Sequence, residues 1–227
     1  MKLKLTRLFL AGALISFSFM QDRRAPSSKF NLDNWKLQLP GPVEIKELKD
    51  YSDRHFYLTD ENYMHFHLDA AEKGPTPNAV HVRAELRNLE KWKIDEDHSL
   101  SATMRVGCDS GNFRVTILQI KCQAPNEESA PPFLRIAAEG KNLYAFLKED
   151  AHTNKGTKFL LKTGITNRFF QIDLRIRDKK LLVFADGEEV LRKEVGYWKL
   201  DNHFKMGVYP QQSFGVFDLD VKQFSVN

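Results

Sequence analysis

Cysteine is scarce in this sequence, with two in 227 residues, so a disulfide framework cannot carry the fold. The two, Cys108 and Cys122, flank SATMRVGC, a DSGN turn and FRVTILQIKC. Those segments read as a hairpin with Cys108 beside the turn and Cys122 at the far end, too distant to bridge, and two thiols are expected. Also missing are a G-x-S-x-G elbow, a phosphate loop and a dinucleotide fingerprint, which argues against serine-hydrolase, nucleotide and redox-cofactor chemistry. No cofactor is expected. No compact pair of acids stands out for glycosidase work: Asp173 lies on one strand, and Asp218 and Asp220 share a face of the last one.

Charge of one sign is lacking as well. Lys and Arg number 34 against 30 Asp and Glu, and three of those cations, Lys2, Lys4 and Arg7, sit in the N-terminal segment. The remainder is close to neutral, so a nucleic-acid partner is not indicated and any polyanion site must come from local clustering. Long apolar runs are limited to one, from about Leu8 to Met20, too short to span a membrane comfortably. Behind its basic head it reads as a signal peptide over residues 1–20, giving a secreted or periplasmic protein with no membrane contact once it is removed. Residues 21–28 read as a linker and 29–227 as one domain, expected to be monomeric.

What is present is period-two alternation. About ten short segments show it, among them HFYLTDENYMHFHLDA, AVHVRAELRNL, FLRIAAEG, FFQIDLRIRD, KLLVFADG and FGVFDLDVKQFSV. Turn chemistry separates them, with Asp-Ser-Gly-Asn at 109–112, Glu-Gly-Lys-Asn at 139–142, Arg-Asp-Lys-Lys at 177–180 and Asp-Gly at 186–187. The pattern predicts an all-β jelly-roll sandwich of two antiparallel sheets.

Three segments gather polar side chains on one face. Alternation aligns Arg83, Glu85 and Arg87 opposite Val82, Ala84 and Leu86. Gln119 and Lys121 stand opposite Leu118, Ile120 and Cys122. In HFKMGVYPQ, Lys205, Gly207, Tyr209 and Gln211 stand opposite Phe204, Met206 and Val208.

These blocks, VRAELRN, QIK and HFKMGVYPQ, resemble in order and separation the R-x-E-L-R, Q-[IV]-H and Y-F-K-x-G-x-Y-x-Q blocks of the alginate lyases of polysaccharide lyase family seven. FNLDNWKLQLP is similar to that family's entry strand, and the likeness runs from about residue 30 to 227. The resemblance implies a concave sheet face that binds an anionic polysaccharide and cleaves it by β-elimination. It implies that Arg83, helped by Gln119, binds the carboxylate at the cleavage point and that Tyr209 transfers the proton. Lys205 and Gln211 line the groove, and Glu85 holds Arg83 and Arg87. The alternative is a non-catalytic polyuronate-binding module.

The chemistry fits those residue types. Removing a uronate C5 proton puts a second charge beside a carboxylate, and cations and amide donors stabilise that enolate-like state. A Tyr serves as base if cations lower its pKa from about 10, and the phenol can then protonate the leaving oxygen. One residue does both only where proton and leaving group share a side of the ring. Lys121 stands where the family has His, a candidate base for guluronate, so charge neutralisation is the expected role of Lys121. A syn elimination through Tyr209 on mannuronan or glucuronan follows. Ala84, His203, Met206 and Pro210 are further departures, and Pro210 suggests an edge position or an altered groove rim.

His65 and His67 form an H-x-H that could take a metal with His55 or His81, but nothing in the sequence fixes a third ligand and no metal is expected. Trp35, Trp92 and Trp198 read as core or strand-end anchors.

Overall fold

A computed structural model describes residues 23–75, 79–123, 132–150 and 156–227. The segment read as a signal peptide lies outside the described residues. Fifteen strands follow one short 3-10 turn at Pro26–Ser28, and no α-helix occurs among the described residues. In chain order they are β1 (Trp35–Leu39), β2 (Val43–Ile45), β3 (Phe56–Leu58), β4 (Met64–Asp69), β5 (Ala84–Asn88), β6 (His98–Cys108), β7 (Arg114–Gln123) and β8 (Pro132–Glu139). They continue as β9 (Asn142–Leu147), β10 (Thr157–Thr163), β11 (Phe170–Arg177), β12 (Lys180–Ala185), β13 (Glu188–Glu194), β14 (Asp201–Pro210) and β15 (Val216–Val226).

The strands build two antiparallel sheets. One runs β10-β9-β8-β7-β14-β5-β1-β2 and the other β13-β12-β11-β6-β15-β4-β3. Alternation works as read from the sequence: Leu37, Leu86, Ile120, Phe204 and Met206 of the first sheet meet Phe66, Leu100, Met104, Leu174, Phe217 and Leu219 of the second in one continuous core. Trp35, Trp92 and Trp198 are all buried there. Burying each large apolar side chain contributes about 1.5–3 kcal/mol, and this shared interior is what holds the sheets face to face.

Three of the four expected turns are tight hairpins. Glu139 pairs with Asn142 around Gly140 and Lys141, Arg177 with Lys180, and Ala185 with Glu188. Asp178, Lys179, Asp186 and Gly187 all have positive φ, the backbone a two-residue turn needs to match strand twist. The fourth is different. β6 pairs with β11 and β15 while β7 pairs with β14 and β8, so the DSGN segment carries the chain from one sheet to the other. Buried Phe113 roots that crossing in the core. Neither cysteine, nevertheless, is part of a disulfide.

The stretch expected to be a linker is tied down where it is described. Arg24 bridges to Leu58 and bonds Asn62 and the Thr59 carbonyl, and Ser52 donates to the Arg23 carbonyl.

Pro210 does not mark an edge. It ends β14, a central strand, opposite Val115, and its missing donor is harmless because the next ladder bond comes from the Gln211 amide to the Arg114 carbonyl, 2.8 Å. Gly207 is the tighter constraint, with φ 149° and a bulge in its pairing to β7. A Cβ there would lie 2.4 Å from the Ala84 carbonyl oxygen and 2.7 Å from the Glu85 Cα. Gly207→Ala is expected to lower stability by about 2–5 kcal/mol, read as a fall in the chemical-denaturation midpoint; an unchanged midpoint would contradict this close approach of β14 to β5.

Candidate active site

The three polar-faced segments become neighbours because β14 inserts between β7 and β5. Register then fixes who faces whom. Lys205 lies opposite Arg87 on one side and Gln119 on the other, Gly207 opposite Glu85, His203 opposite Lys121, and Tyr209 opposite Thr116. A bulge in β7 keeps this alignment: relative to β8 the strand carries one extra residue between Thr116 and Leu118. Ile117 and Leu118 both enter the core, so Thr116, Gln119 and Lys121 share the outer face.

Glu85 is the centre of that face. Fully buried, it accepts from Lys205 Nζ, from Gln119 Nε2 and from Arg83 Nη1, the last at 3.2 Å. Burial alone would push its carboxyl pKa up, but Lys205 and Arg83 outweigh it and hold the pKa below the usual carboxylate range. Lys205 also donates to Gln38 Oε1, 2.7 Å, and Gln38 in turn to Glu44, which Lys36 pairs at 2.8 Å. The entry strand thereby braces the site.

Tyr209 is clasped by two arginines. The Arg83 guanidinium carbon sits 4.1 Å from its ring centroid, and Arg135 lies near enough to act on its charge while bonding Gln211 Oε1 at 2.9 Å and Thr116 Oγ1 at 3.2 Å. To act as a base, Tyr209 needs cations that bring the phenol below its ordinary pKa. Both arginines pull that way, but burial pushes harder and Tyr209 is raised. The resting residue is a neutral phenol, set up as a proton donor. Lys121 moves oppositely: burial, with Arg83 and Lys148 adding to it, lowers it to about 8.

All eight residues expected from the sequence thus lie on or beside one sheet face, with Arg83 just ahead of β5 and Gln211 just past β14. Others went unnoticed. Arg135 reaches the site from β8, and Lys36, Gln38 and Glu44 from β1 and β2; in the sequence they are ordinary polar positions on alternating strands. His203 is the main addition. It is 3% exposed, and its Nδ1 has no hydrogen-bond partner. Its even spacing from Lys205 and Tyr209, which puts all three on one strand face, was the available signal.

Burial, then Arg87, Lys205, Lys121 and Lys36, lower His203 to about 2, so the folded protein keeps it neutral. An unfolded chain takes up that proton near pH 6.5, so the contribution of His203 to stability is full above pH 6.5 and falls as pH drops below it, at about 1.4 kcal/mol per pH unit. His203→Gln is expected to remove that component between pH 6.5 and 5, measured as a smaller loss of unfolding free energy than wild type. An equal loss would contradict a buried neutral imidazole.

The family model for alginate lyase matches residues 30–223. No curated protein sequence matches. Among solved structures, a double variant of the family seven alginate lyase A1-II' in complex with a GGMG substrate superposes with a TM-score of 0.82 at 23% identity, covering 90% of this chain and 96% of that one. Alginate lyase PA1167 from Pseudomonas aeruginosa gives 0.78 at 21% identity over 87% and 99%. Alginate lyase AlyC3 in complex with dimannuronate gives 0.77 at 17% over 91% and 95%. With the family model spanning nearly the whole described domain and the fold shared, the chain belongs to the alginate lyase family of polysaccharide lyases.

Proposed function

We propose that this protein is an exported lyase that cleaves alginate by β-elimination and prefers mannuronate-rich polymer. The observation that carries the reading is the convergence of Arg83, Gln119, Lys121 and Tyr209 around the buried Glu85 on one sheet face. Substrate brings a carboxylate, and Arg83 and Gln119 are placed to bind it. As C5 loses its proton, charge moves onto that carboxylate, and the fixed donors stabilise it without reorganising. Lys121 adds positive charge, and the neutral His203 offers a hydrogen bond to a sugar hydroxyl.

In the syn course Tyr209 first releases its phenolic proton to solvent, takes the C5 proton as the phenolate and passes it to the departing glycosidic oxygen. Arg83 on its ring face and Arg135 stabilise the transient phenolate. A second reading follows from two pKa shifts: with Tyr209 raised and Lys121 at about 8, Lys121 becomes the base and Tyr209 the acid. Gln119 lies between their positions along the β7–β14 ladder, so base and acid are two separate groups, as an anti elimination on guluronate needs. Export rests on the basic and apolar residues 1–20.

Incubation with polymannuronate, polyguluronate and glucuronan, followed by the ultraviolet absorbance of unsaturated ends, is expected to show the fastest turnover on polymannuronate. Faster cleavage of polyguluronate, lost in Lys121→Met, would replace the syn course by the second reading. Tyr209→Phe is expected to bind polymer yet lose at least ~100-fold in kcat. Undiminished turnover would remove Tyr209 from the chemistry, and binding without any unsaturated product from wild type would leave a non-catalytic module.

A further inference from the structure

On the opposite sheet, outside everything assigned to polysaccharide, His65 and His67 of β4 meet Asp218 and Asp220 of β15. The register sets Asp220 against His65 and Asp218 against His67. Phe66 and Leu68 of β4 and Phe217 and Leu219 of β15 fill the core, so the four polar side chains share the outer face. One carboxylate oxygen, Asp218 Oδ1, lies 3.2 Å from His65 Nε2 and 2.8 Å from His67 Nδ1. The three ligand atoms all fall within 4.8 Å of one another.

We propose that His65 Nε2, His67 Nδ1 and Asp218 Oδ1 form a binding site for one divalent ion of the zinc class. Zinc bonds of about 2.0 Å in tetrahedral array put neighbouring ligand atoms about 3.3 Å apart; the His65 pair at 3.2 Å already matches this, and the exposed His67 pair at 2.8 Å opens by a side-chain adjustment of about half an ångström. Two imidazoles and a carboxylate favour Zn2+ over Mg2+ or Ca2+, which prefer oxygen-rich sites.

The supporting shell is in place. His65 Nδ1 donates to Asp220 Oδ1 at 2.7 Å, which directs Nε2 toward Asp218. Arg105 clamps the other Asp220 oxygen through Nε at 3.0 Å and Nη2 at 2.7 Å. The Tyr57 ring backs His65 at 4.7 Å between centroids, and Arg23 lies over Tyr57. His67 and Asp218 are 40% and 45% exposed, so an ion has an entry path and a coordination position left for water. With its ligands drawn from two strands, the bound ion joins β4 to β15.

The third ligand is hidden in the sequence because it is 151 residues from His67. His55, the nearer candidate in the sequence, is instead engaged by Asp53 at 3.3 Å and Glu72 at 3.1 Å.

The full-length mature protein, stripped with chelator, is titrated with Zn2+ by calorimetry, with stoichiometry read by native mass spectrometry. One ion per chain is expected, with a rise in melting temperature, and His67→Ala and Asp218→Asn are each expected to weaken binding at least tenfold. Both positions are half-exposed, so the variants fold, while His98→Ala, remote from the cluster, binds as wild type does. Absence of a one-to-one complex, or equal affinity in wild type and both variants, would overturn the site. Lyase activity is not needed for either result.

Discussion

A carboxylate with no solvent contact must find positive partners or lose its charge, and Glu85 finds Lys205, Arg83 and Gln119. Taking such ions out of water costs several kcal/mol each, so the arrangement persists only because the three strands that supply them are locked by the sandwich core. Glu85 neutralises one of its neighbours and leaves the others in excess. Arg83, Arg87, Lys121, Lys205 and Arg135 gather on one sheet face, which is how a chain of nearly balanced charge presents a cationic floor. Burial sets the opposed shifts of Lys121 and Tyr209; the cations add to the first and oppose the second.

The strands were legible because burial on one face imposes a period of two, and the turns at 139–142, 177–180 and 186–187 because positive φ selects few residues. The site face was legible for a related reason: Arg83, Glu85 and Arg87, and likewise Lys205 and Tyr209, repeat at that same interval. Long-range neighbours left no such trace. Nothing local says that β14 separates β7 from β5, or that residues 109–112 change sheets instead of closing a hairpin. His203 was legible as a departure from a family pattern, but its burial among cations depends on Lys121 lying across the ladder. Asp218 became a partner of His67 only through the pairing of β15 with β4.

The two sheets divide the labour. The outer face of one carries a buried polar network braced from β1 through Gln38 and Glu44, while the other carries the His and Asp cluster clamped by Arg105. Between them lies the shared apolar core, which keeps the two polar faces apart.

The extra residue in β7 gives that strand two phases. Up to Thr116 the even-numbered positions look outward, and from Gln119 onward the odd-numbered ones do. A survey of tolerated substitutions along the strand would therefore show a stutter at Ile117 and Leu118, where two successive positions both reject polar side chains. It also means that Gln119 and Lys121 owe their orientation to a local irregularity: shortening the strand by one residue there would turn the sequence block inward while leaving every letter of it intact.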